Sequence, residues 1–313
     1  MITFGPVPSR RLGRSLGINN IPPKTCSLSC IYCQVGKTNK LQVTRQPFYE
    51  PQAILDEVAE KIRRTEEQGE EIDFLAFVPD GEPTLDCNLG KTIDLLRPLG
   101  KKIAIINNAT LLWQDEVRED LCKADWVSLK VDAVSPKVWR RIDRPHKELQ
   151  LQNVLDSMLQ FKKEFTGTLV SETMLLRGVN DTPEVLTETA SFLEKLSPST
   201  SYLSIPIRPT VEKIASIPDE EALNTAYQII HNKVENVECL FGYEGDTFSS
   251  TGNAEEDLLN IIAVHPMREQ AVQEFLANTQ ADWSLIDKLI EQDRIFVTTY
   301  ENKRFYLRRL HKK

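Results

Sequence analysis

Short apolar runs alternate with longer amphipathic stretches over most of the chain. Residues 16–19 form a brief extended run, and residues 51–64 carry Ile54, Leu55, Val58 and Ile62 at helical spacing. Residues 72–78, IDFLAFV, are a continuous apolar run of strand length. Pro79, Asp80 and Gly81 follow as turn residues, and then a helical pattern runs through Ile93 and Leu96. The alternation continues with strands predicted at 102–106, 126–131, 168–176 and 202–207. Helices are predicted at 113–122, 136–142, 149–165, 183–196 and 219–234. Counted from Leu16 this makes six β-α units. Nearly apolar strands between amphipathic helices predict an α/β fold with a parallel sheet buried under helices. Both a partial barrel and a doubly wound open sheet satisfy this periodicity.

The pattern changes after the sixth unit. Residues 236–252, NVECLFGYEGDTFSSTG, are rich in Gly, Ser, Glu and Asp and read as a linker or a segment folded over the barrel mouth. Beyond it, residues 255–264, 268–277 and 283–291 predict three short helices, and 295–300 with 305–310 a hairpin around Glu301-Asn302-Lys303. The expected organisation is a barrel domain over residues 1–245 and a linker with a small winged-helix-like α+β domain over 246–313. A DNA-reading third helix would be cationic. This one carries Asp282, Asp287, Glu291 and Asp293 against Lys288. It reads as a module for docking substrate or partner. The basic end, with Arg304, Arg308, Arg309, Lys312 and Lys313, is a phosphate or acidic-partner contact or simply a solvated tail.

Charge and cysteine usage narrow the class. A formal net charge of -8 opposes general capture of nucleic acid. No stretch is apolar enough for a membrane span or a signal-peptide core, and the cysteines show no disulfide-framework spacing, so a soluble cytoplasmic protein is expected. Cys87, Cys122 and Cys239 are scattered. Cys26, Cys30 and Cys33 are not: they follow a C-x3-C-x2-C spacing in CSLSCIYC, with Tyr32 before the last. Three thiolates on one short loop can hold three irons of a cubane cluster and leave the fourth open to an outside ligand. A zinc knuckle usually takes four ligands, and no His or Cys follows within fifty residues. Buried free thiols and a metal-stabilised knot in a non-catalytic scaffold protein are the other readings of the trio.

The spacing with its penultimate aromatic resembles the signature of the radical S-adenosylmethionine superfamily. The run GPVPSRRLGRSLGINNIPPKTCSLSCIYCQVG is similar to the branch of wyosine-forming tRNA enzymes. That resemblance implies a six-unit partial barrel, (β/α)6 and TIM-like, over roughly residues 1–245. It also implies a [4Fe-4S] cluster on the three cysteines and S-adenosylmethionine on its open iron. An electron donor of the flavodoxin or ferredoxin kind would reduce the cluster, and the resulting 5′-deoxyadenosyl radical would abstract hydrogen from a substrate. Asp80-Gly81-Glu82-Pro83-Thr84 resembles the family's Gly-Glu-Pro turn, which implies that Glu82 meets the cofactor's amino group. Tyr32 is then expected at the adenine through its backbone, with Asn108, Lys130, Asp132 and Thr173 as further cofactor contacts. Asn107 and Asn108 also suit helix capping. Lys130 and Asp132 share a strand face with Ser128, so they either hold the cofactor's carboxylate and ribose or neutralise each other. Ser171 and Thr173 share the opposite face to Glu172. Arg141, Arg144 and Arg208 are candidate anion contacts, and His146 reads as a surface residue. The wyosine-forming enzymes imply a second cluster on upstream cysteines, and residues 1–25 contain none. A peptide or protein substrate is therefore as plausible here as a tRNA nucleoside.

Overall fold

In the computed structural model, residues 2–241, 253–264, 266–300 and 302–309 are described. The chain opens with β1 (Thr3–Ser9) and β2 (Gly13–Ile18), passes two short strands, β3 (Thr25–Cys26) and β4 (Lys40–Leu41), and enters α1 (Pro51–Glu67). Then come β5 (Phe74–Phe77), α2 (Leu89–Leu96), β6 (Lys102–Asn107), α3 (Asp115–Leu121), β7 (Trp126–Lys130), α4 (Pro136–Ile142) and α5 (Leu151–Glu164). The series ends with β8 (Thr168–Met174), α6 (Pro183–Leu196), β9 (Thr200–Ser204), α7 (Glu220–His231) and β10 (Val237–Leu240). Helix starts follow the local chemistry. Pro136 opens α4 with Ser135 accepting from the Val138 amide, and Asp219 caps the Ala222 amide of α7.

One eight-stranded sheet runs β1-β2-β5-β6-β7-β8-β9-β10, parallel throughout except for the antiparallel β1-β2 pair. It curls into a partial barrel. Leu75, Phe77, Ile103, Ile105, Val127, Leu129, Leu169 and Leu203 belong to the large core between sheet and helices. The alternate set, Ala76, Ala104, Trp126, Val170, Tyr202 and Leu240, packs on the concave side with Leu12 from the β1-β2 turn. Two strands differ from the sequence expectation of six. Strand β1 carries two prolines, and its register slips between Phe4 and Val7 around Gly5-Pro6, which an edge strand tolerates. Strand β10 falls inside the segment expected to be a linker: Val237–Leu240 pairs in parallel with β9, and the rest of that expectation, residues 242–252, lies outside the described residues.

The C-terminal elements are α8 (Ala254–Val264), β11 (Met267–Arg268), α9 (Glu269–Asn278), α10 (Ser284–Glu291), β12 (Ile295–Tyr300) and β13 (Lys303–Arg308). The antiparallel sheet order β11-β13-β12, with two helices between its first and second strands in the chain, is winged-helix topology. Leu258, Ile261, Phe275, Ile286, Leu289 and Tyr306 form its own core, against which Val7 of β1 packs. Lys61 of α1 meets the buried Asp257 of α8 at 2.9 Å, and the Tyr300 hydroxyl donates to the Pro206 carbonyl at 2.9 Å. These contacts dock the module on the edge strand β1, on α1 and on the segment after β9.

Candidate active site at the cysteine loop

The end of α4 and the segments after β5 and β6 pin the loop that carries the cysteines. The Ser29 amide donates to the Asp143 carbonyl at 3.0 Å, and the Ile31 amide to the Ile142 carbonyl at 2.9 Å. The Ser27 and Thr110 hydroxyls meet at 2.6 Å, and the Glu82 amide donates to the Thr25 carbonyl at 3.1 Å. The loop thereby roofs a cavity of about 230 Å³ lined by all three cysteines together with Gly81, Glu82, Asn108, Lys130 and Asp132. Burial pushes the Cys26 thiol up to about 12 and the Cys30 thiol well above its ordinary value. In the metal-free state these thiols are therefore protonated. A bound metal removes those protons.

The turn after β5 touches the cysteine loop directly. A Cβ on Gly81 would lie 2.0 Å from the Thr25 carbonyl oxygen, so only glycine lets these two backbones approach. The buried Glu82 next to it accepts from the Thr84 amide at 3.1 Å, from the Thr84 hydroxyl, and from the Asn108 amide at 2.8 Å. Desolvation outweighs these bonds and pushes its carboxyl up to about 7. A cation brought into the cavity would reverse that shift. The Asn108 side chain donates to the Ser27 hydroxyl at 2.9 Å and accepts from the Thr110 amide at 3.1 Å, so it braces the loop while lining the cavity. Asn107 also lines the cavity, its side-chain amide donating to the Ser128 carbonyl at 3.0 Å.

Lys130 and Asp132 come together as an ion pair. The Lys130 ammonium lies 2.6 Å from Asp132, 2.5 Å from Asp143 and 3.2 Å from the Cys30 sulfur, and 4.4 Å above the Tyr32 ring. Asp132 also accepts from the Tyr32 hydroxyl and, at 2.8 Å, from the Met174 amide. Both side chains line the cavity, and each offsets the other's charge there, because a lone charge would lack water. Burial raises Asp143 to about 7 even beside this lysine. Removing the cation would strand two buried carboxylates. We expect Lys130→Met to cost about 3–5 kcal/mol in urea unfolding of the metal-free protein.

Register sets which face of β8 meets the cavity. Lys130 pairs in register with Glu172, so these two face the same concave side, and Glu172 and Met174 line the cavity. Thr173 turns outward and donates to the Val131 carbonyl at 2.7 Å. The charge on Glu172, which pairs with Arg11, was the signal: a carboxylate mid-strand belongs on the polar side of the sheet. Arg141 donates to the Gly178 carbonyl and Arg144 pairs with Glu212, both away from the cavity lining, while Arg208 lies in the segment after β9. Sequence reading gave no role to Lys24, two residues before Cys26, or to Asp143, between Arg141 and Arg144, and it named Asp80 and Glu172 without assigning either to the site.

The donor set fits a cubane cluster. Three soft sulfurs stand around one enclosed cavity, with an ammonium beside one of them. Among the described residues no three His, Cys, Asp or Glu side chains gather around a single ion-sized point, and a cubane asks instead for one thiolate per iron. Nor, among these residues, is any helix long and apolar enough to cross a membrane.

Comparison with known proteins gives concordant results. The Radical SAM superfamily model matches residues 20–190. A UPF0026 protein of Methanocaldococcus jannaschii is 43% identical over 311 residues, covering 99% of this chain and 96% of its own. Among solved structures, TYW1 with a lysine-pyruvate adduct bound superposes with a TM-score of 0.55 at 18% identity, covering 71% of this chain and 74% of that one. Streptococcus suis SuiB bound to precursor peptide SuiA gives 0.53 at 13%, covering 71% and 48%. At these identities the two structures share the fold.

Proposed function

The chain belongs to the radical SAM superfamily and to the UPF0026 family, and from that premise we propose that it is an enzyme that cleaves S-adenosylmethionine reductively to start a hydrogen abstraction. The observation that carries the reading is the meeting of Cys26, Cys30 and Cys33 with the Gly81-Glu82 turn in one cavity at the carboxyl ends of the parallel strands. Cys26, Cys30 and Cys33 would hold three irons of a [4Fe-4S] cluster. When bound, the cluster would supply the electron for reductive cleavage of S-adenosylmethionine.

The chain's residues then divide the remaining work. Glu82 receives the cofactor's ammonium, which favours the ionised carboxylate that burial disfavours. Asn108 fixes both Glu82, through its amide, and the loop, through its side chain. Tyr32 is proposed at the adenine by its backbone, its ring being held by Asp132 and Lys130. Lys130 supports the Cys30 thiolate and, lining the cavity with Asp132, is proposed with it as a further cofactor contact. The curled sheet, closed below by Leu12 and Trp126, keeps water from the radical. An outside reductant of the flavodoxin or ferredoxin kind would feed the cluster. The substrate is proposed to be a peptide or protein, as the winged-helix module and acidic α10 favour, with a tRNA nucleoside as the rival. The test is anaerobic reconstitution: four irons per chain and reductant-dependent release of 5′-deoxyadenosine are expected. An intact cluster with no release would sink the proposal in favour of a scaffold.

A further inference from the structure

Two cavities meet at the cysteine loop. The second, of about 360 Å³, lies between residues 33–36, residues 209–211 and the β12-β13 hairpin, with Val35, Thr210, Val211, Phe296, Leu307 and Arg308 in its wall. Cys33, Val35 and Gly36 line both cavities. Lys24 lines the first cavity and lies against Gly36, which lines both. The residue is 8% exposed, its ammonium makes no hydrogen bond, and its salt-bridge partner among the described residues is Asp80, 3.6 Å away. The second oxygen of Asp80 also has no hydrogen-bond partner.

The backbone holds this lysine in place. Its φ of 63° is left-handed, its amide donates to the Asp80 carbonyl at 2.7 Å, and its carbonyl accepts from the Asn39 and Lys40 amides at 3.0 Å. A Cβ on Gly36 would come within 3.3 Å of the Lys24 Cε, so the bare glycine leaves the side chain room. Arg308 of the hairpin also acts on Asp80 electrostatically. Among the described residues it has no salt bridge of its own, only a 3.4 Å bond to the Leu259 carbonyl. Among the described residues Asp80 thus pairs with Lys24 alone, and Arg308 adds a longer-range attraction to the same carboxylate. A surplus positive charge in a half-dry junction calls for an anion.

We propose that this junction is a substrate subsite. It takes one oxyanion, carboxylate or phosphate, between Lys24 and Arg308, while an apolar or aromatic body attached to it lies in the second cavity against Phe296 and Val35. The inference rests on the radical-enzyme reading for the word substrate; the anion site itself does not. The rival account is that Lys24 only offsets negative charge on Cys33, its electrostatic neighbour.

The two are separated by calorimetric titration of the reconstituted protein with benzoate, phenyl phosphate and, as a neutral control, benzyl alcohol. Saturable binding of at least one anion is expected, weakened roughly 10- to 100-fold by Lys24→Gln and by Arg308→Gln and largely restored in Lys24→Arg. Whichever anion binds more tightly identifies the natural group as carboxylate or phosphate. Iron content and circular dichroism check that each variant is folded and loaded. The proposal is overturned if neither anion binds the wild type, if both variants bind them unchanged, or if Lys24→Gln moves only the cluster's midpoint potential. The same preparation, with no anion, is assayed for 5′-deoxyadenosine. Anion binding without cleavage would remove the catalytic reading and keep the site; cleavage without anion binding would do the reverse.

Discussion

Cys26→Ala is expected to lower both bound iron and 5′-deoxyadenosine release by more than about 100-fold, beyond the 10- to 100-fold typical of losing a mere support to a metal ligand. Two thiolates cannot hold three corners of a cubane. The metal-free variant should nonetheless fold, because burial keeps the Cys26 thiol protonated, pushed up to about 12, and a neutral thiol packs as a small apolar group. Iron analysis and chromatography of the reaction mixture read the two losses separately. Cys87→Ala is the control: Cys87 is exposed and does not line the cavity. Equal iron in the Cys26 and Cys87 variants would remove the three-cysteine assignment.

Gly81→Ala is expected to cost about 1–3 kcal/mol of stability, the usual penalty for overpacking, and about 100-fold in 5′-deoxyadenosine formation. The added methyl would meet the Thr25 carbonyl oxygen at 2.0 Å and its carbon at 3.0 Å. Both are backbone atoms one residue from Cys26, so no side chain can swing away to relieve the clash. Either the turn retreats, carrying Glu82 out of reach, or the cysteine loop shifts and loses the bond from the Glu82 amide. Denaturant melts and a cofactor-binding titration distinguish these outcomes. A variant with wild-type affinity and stability would mean that the close approach of turn and loop plays no part.

Much of this architecture was legible before any coordinates. Continuous apolar strands such as FLAF and helices opened by Pro51, Pro136 and Pro183 announce themselves locally. The edges of the sheet do not. In β1 the prolines argue against a strand, and only pairing with β2 makes one; β10 is four residues whose partner lies over thirty positions upstream. The cysteine trio and the Gly81-Glu82 turn were likewise visible because each is a contiguous string.

The sequence alone determined the alternation of elements and the chemical identity of the metal-ligand candidates, since both depend on residue type and short-range spacing. Tertiary structure decided what each charged group faces. Register put Glu172 rather than Thr173 on the concave side, and chain crossing brought Asp143 against Lys130, itself 100 positions from Cys30. It also paired Lys24 with Asp80 and brought Arg308 near enough to act electrostatically on the same carboxylate. Such outcomes rest on burial and on partners distant in the chain, and free energy in a nearly dry cavity is set by those distances, not by the order of residues.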